Sequence, residues 1–112
     1  MQDYERFARI IDEMYNLYIK KNANYGNSFE KLFQDLGPIA GIVPLHNKLD
    51  RITNLVKGGH NDFEPLQDSF IDLATYAIMN VIELQKNNEQ RASHSSESSS
   101  TSEKVILNEN NL

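Results

Sequence analysis

Apolar residues recur along this chain at helical spacing. Phe7, Ile10, Ile11, Met14, Leu17 and Tyr18 follow the i, i+3, i+4, i+7 rule, which predicts an amphipathic helix over about residues 3–22. Phe29, Leu32, Phe33 and Leu36 form a second, shorter stripe, stopped by Gly37 and Pro38. Between the two stripes, the stretch from Asn24 to Ser28 reads as a helix junction. Gly26 can take the left-handed conformation that closes one helix, and Ser28 can cap the next. Residues 37–44, GPIAGIVP, read as a compact apolar connection. Pro44 suits a first helical turn, and Leu45, Leu49, Ile52 and Val56 then mark a third helix that ends at Gly58 and Gly59. A fourth helix, about residues 65–86, carries Leu66, Phe70, Leu73, Ala74, Ala77, Ile78, Val81 and Leu84. So wide an apolar arc predicts the central helix of a bundle. The expected fold is all-α, a four-helix antiparallel bundle.

After about Asn88 the pattern changes. The run RASHSSESSSTSEK is rich in serine and almost free of apolar residues, so burial cannot offset the entropy of ordering it. Residues 1–88 are therefore read as one helical domain and 89–112 as a disordered tail, with Val105, Ile106 and Leu107 as a frayed end. A domain this small with so broad an apolar arc predicts a homo-oligomer.

Charge and composition narrow the chemistry. The chain has 112 residues, no cysteine and a formal net charge of −5. Disulfides and thiolate metal sites are excluded, and a polyanionic nucleic acid is an unfavourable bulk partner. No apolar run approaches the roughly 20 residues needed to span a bilayer, and the opening residues lack a signal-type apolar core. The expected setting is cytoplasmic.

Candidate chemistry then lies on helix faces. Asp68 and Asp72 stand one turn apart, with Thr75 and Tyr76 beside them, away from the apolar arc of the fourth helix. Paired carboxylates at this spacing repel unless water or a cation compensates, and Mg²⁺ is one such cation. Acidic residues are also favoured in the first turns of any helix by its dipole. On the third helix, His46 and Asp50 share one flank, while Lys48 and Arg51 share the other. His46 and Asp50 have metal-ligand spacing, although a surface imidazole is the ordinary role for such a histidine. Lys48 and Arg51 suit phosphate oxygens, or else salt-bridge to Asp68 and Asp72 and hold the bundle together.

The blocks NYGNSFEKL, LHNKLDRITNLV and EPLQDSFIDLATYAIMN together resemble the short phage and prophage family named for association with nucleotide modification. That family's pattern runs Tyr-Gly-x-Ser, then Lys-x-x-Arg, then Asp-x-x-x-Asp-x-x-x-Tyr, and the resemblance covers about residues 3–86. It implies an all-α fold similar to the MazG-like nucleoside triphosphate pyrophosphatases and dimeric dUTPases, which hold Mg²⁺ between facing helices. Carried onto this chain, it implies Tyr25, Gly26, Lys48, Arg51 and Tyr76 as nucleotide-binding residues. Asp68 and Asp72 would be catalytic, and Asp50, Asp68 and Asp72 would be the Mg²⁺ ligands. Tyr25 would stack on a base or ribose, with Lys20 or Lys21 adding positive potential; alternatively it covers the helix junction. The chain departs from the pyrophosphatase pattern, since HNKLD and SFID stand where Glu-x-x-Glu and Glu-x-x-Asp are expected. Hydrolysis needs most of that acidic cage. A Mg²⁺-dependent pyrophosphatase, a non-catalytic protein that sequesters a nucleotide, and a module that binds a host protein are therefore all open readings.

Overall fold

The computed structural model describes residues 1–59 and 62–94, with the side chains of 23–27, 93 and 94 left aside. The described residues form an all-helical bundle of α1 (Asp3–Leu36), α2 (Pro38–Lys57) and α3 (Phe63–His94), with no strand among them. All four helical segments expected from the periodicity are helical. The first two both fall within α1, so the predicted junction at Gly26 lies inside that element rather than between elements. Glycine and asparagine disfavour a helix by under about 1 kcal/mol each, and only proline would forbid its backbone hydrogen bonds.

A single residue separates α1 from α2. Gly37 adopts φ 83°, a conformation open to glycine, and its N–H donates to the Phe33 carbonyl at 2.7 Å. Pro38 then opens α2, where its missing N–H costs nothing. The expected apolar connection over residues 37–44 is thus largely the first turns of α2, and Pro44 lies inside that helix. What holds this segment is packing. Gly41 is buried against Phe33, and the Asn80 side chain donates to its carbonyl at 3.0 Å. At the other end, the Gly58 N–H closes α2 on the Asn54 carbonyl, and Gly59 turns the chain with φ 77°. α3 continues past the expected end at Lys86 to His94, so residues 89–94 of the predicted tail are helical. Residues 95–112, including Val105 to Leu107, lie outside the described residues.

Cross-helix pairs give the directions. Gly41 meets Asn80, Lys48 meets Asp72 and Arg51 meets Ser69, so α2 and α3 run antiparallel. Phe29 packs on Tyr76, and Gln34 donates to Glu83 at 3.0 Å, so the last turns of α1 run in the same direction as α3. Phe33, at 1% exposure, lies where the three helices meet; Met14, Ile52 and Met79 are the other buried apolar side chains among the described residues. None of the described helices is long and apolar enough to cross a membrane.

The orientation of α3 reverses the sequence expectation. The helix turns its polar side inward: Ser69, Thr75 and Glu83 are buried, and Asp72, Tyr76 and Asn80 are half-buried. Most of the apolar arc faces out, with Phe70 54% exposed, Val81 50% and Leu84 49%, while Leu66 and Leu73 are half-buried. Within one chain, α3 is therefore not the apolar centre of the bundle.

Candidate functional site

The inward side of α3 carries a polar seam. Residues 69, 72, 76, 80 and 83 recur at three- or four-residue steps, so they line one side of the helix. Arg51 donates its Nε–H to Ser69 Oγ at 3.3 Å, and Lys48 Nζ pairs with Asp72 at 3.3 Å. Thr75 bonds back to the Ile71 carbonyl at 2.8 Å, a local bond that lets a hydroxyl be buried without a cross-helix partner. Further along, Lys86 pairs with Glu83 at 2.8 Å and with Glu30 at 3.4 Å. The hydrogen bond to Glu83 is the main reason the Lys86 ammonium is held above the usual lysine range. Satisfied in this way, the seam ties all three helices together.

Beside the seam lies an open groove of about 370 Å³. Phe29, Leu32, Leu36, Val43 and Pro44 supply its apolar walls, and Asn47, Ser28 and Tyr76 supply its polar groups. The Phe29 and Tyr76 rings meet at 5.9 Å between centroids, tilted by 48°. Helical register places the seam one turn from the groove: Lys48 follows Pro44 by one turn, Arg51 follows Asn47 by one turn, and Tyr76 follows Asp72 by one turn. A flat apolar group with an anionic substituent would meet the aromatic rings and the basic pair together.

The residues expected from sequence divide between two places. Lys48, Arg51, Asp72 and Tyr76 come together along the seam and groove. Asp50 instead faces His46 at 3.6 Å on the exposed flank of α2, and Asp68 is exposed on α3. The Tyr25 and Gly26 side-chain positions fall outside what is described, although their backbone belongs to α1. Among the described residues, no group of three His, Asp or Glu side chains could hold a metal ion. With the Asp72 carboxylate on Lys48 and Asp50 on the other flank, the described carboxylates are not brought together as a Mg²⁺ donor set.

Sequence reasoning missed Phe29, Asn47, Asn80, Gln34 and Glu83. Asn80 was within reach of it, being one turn beyond Tyr76 on the same face. Phe29 and Gln34 were not, because only the crossing of α1 over α3 gives them partners. Comparison with known proteins finds no matching family model, no similar characterised protein and no similar solved structure.

Proposed function

We propose that this chain binds a nucleotide or a nucleotide-derived small molecule in the groove, as a binding protein rather than a metal-dependent hydrolase. The observation that carries the reading is that Tyr76, which meets the Phe29 ring, stands one helical turn from Asp72, which pairs with Lys48. A base packs between Phe29, Tyr76 and the Val43–Pro44 wall, where its ring replaces water on apolar surface. Asn47 and Ser28 are the groups able to hydrogen-bond its edge. Phosphate oxygens take Lys48 in exchange for Asp72, and Arg51 is the second cation within reach along the helix. The resemblance to the nucleotide-modification family supports the ligand class. The lack of an assembled carboxylate cage among the described residues favours binding over hydrolysis.

The test is calorimetric titration with a panel of canonical, modified and cyclic nucleotides, with and without Mg²⁺, followed by phosphate detection on each compound that binds. A charge-assisted bond to phosphate contributes about 1.5–3 kcal/mol, so Arg51→Ala and Lys48→Ala should each weaken binding by roughly one to two orders of magnitude. Arg51→Lys should recover part of that loss, because it keeps the charge without the forked geometry. Failure of every nucleotide to bind the folded protein overturns the reading. Release of phosphate or pyrophosphate in the presence of Mg²⁺ would replace it with the enzymatic one.

A further inference from the structure

The apolar side of α3 that faces outward is patterned. Phe63, Phe70, Ala77 and Leu84 recur every seven residues, and Ala74 and Val81 fall between them at the four-and-three spacing of a helix–helix seam. Phe63 is 72% exposed, and Ile78 widens the strip at 46% exposure. Between Phe63 and Leu84 the charged residues of this helix, Glu64, Asp68, Asp72 and Glu83, all fall off the strip, and the next heptad position is Arg91. A heptad seam without charge from Phe63 to Leu84, on a helix whose other side already packs on α1 and α2, lacks only a facing helix.

We infer that a second copy of this chain occupies that face, with its own α3 packed antiparallel across a twofold axis near Ala74 and Ala77. The chain carries a net charge of −5, and an uncharged strip is where two such copies approach without repulsion at the contact. Ala74 and Ala77 at the centre let the two helix axes come close, and Phe70 of each copy then lies over Val81 of the partner subunit. The antiparallel direction also keeps the acidic starts of the two α3 helices, with Asp62 and Glu64, at opposite ends of the contact, whereas a parallel pairing would set them together. Burying the strip removes on the order of 700 Å² per copy from water, close to the ~800 Å² per partner of a standard interface. A twofold contact of this kind closes on itself and leaves no free seam for further growth.

The experiment uses the full chain, which has no cysteine, so each introduced thiol is the sole reactive site. Light scattering should give twice the chain mass, and Ala77→Glu should reduce it to that of one chain. In parallel, Ala77→Cys and Leu84→Cys are treated with a bismaleimide of about 8 Å reach, matched to the 8–10 Å between packed helix axes. Ala77→Cys should cross-link to a dimer. Leu84→Cys should not, because antiparallel register places the two Leu84 positions about 25 Å apart along the helices. A monomeric native mass, equal cross-linking at both positions, or cross-linking at neither would overturn the proposal. The cysteine result decides the matter if Ala77→Glu proves unfolded by circular dichroism.

Discussion

Asn80 occupies the space that a side chain on residue 41 would need. Its Nδ2 donates to the Gly41 carbonyl at 3.0 Å and to the Tyr76 carbonyl at 2.8 Å, and a Cβ built on Gly41 would overlap the Asn80 amide. α2 and α3 approach closely here because one partner has no side chain and the other bonds directly to its backbone.

Gly41→Ala should therefore destabilise the fold by about 2–3 kcal/mol, combining an overpacking cost with loss of the Asn80 bond. Asn80→Ala alone should cost about 1–2 kcal/mol and should open room at residue 41. In the double variant the penalty of Gly41→Ala should shrink. Urea unfolding of the four proteins in this cycle measures the coupling; additive penalties would show that the two residues do not compete for space.

The Lys48–Asp72 pair is part-buried, with side chains 30% and 27% exposed, so it should be stronger than a surface pair and weaker than a core one. A double-mutant cycle with Lys48→Met and Asp72→Asn should give a coupling of about 1 kcal/mol, falling as salt rises. The cation already beside Asp72 also predicts the metal response. Mg²⁺ should raise the melting temperature of the unliganded protein no more than a monovalent salt of equal ionic strength, as read by differential scanning calorimetry.

Lys86 sets a pH dependence at the alkaline end. Its folded-state value is raised, first by the Glu83 hydrogen bond, with the charges of Glu83 and Glu30 adding to it. A raised lysine contributes stability that is fully present below its unfolded value near 10.4, and that contribution is lost as pH climbs through the higher folded value. The difference in melting temperature between the parent and Lys86→Met should thus stay constant from neutral pH to about pH 10 and close above it. A difference that closes near neutrality would assign the effect to another group.

Periodicity alone determined that the described residues are all-helical, and it located the stops at Gly37 and Gly58, because these depend on local backbone chemistry. It also placed His46 with Asp50 on one flank of a helix and Lys48 with Arg51 on the other, since helical geometry assigns residues to faces. The fate of each face is a tertiary matter. Pro44 lies inside α2 three residues after Gly41, whose carbonyl accepts from Asn80, a contact between residues far apart in sequence. Asp72 meets a lysine instead of its carboxylate neighbours because antiparallel α2 brings Lys48 to it. The inward polar side of α3 was equally hidden: an apolar arc shows that something must cover it, and only the packed helices show that α1 and α2 cover the opposite side.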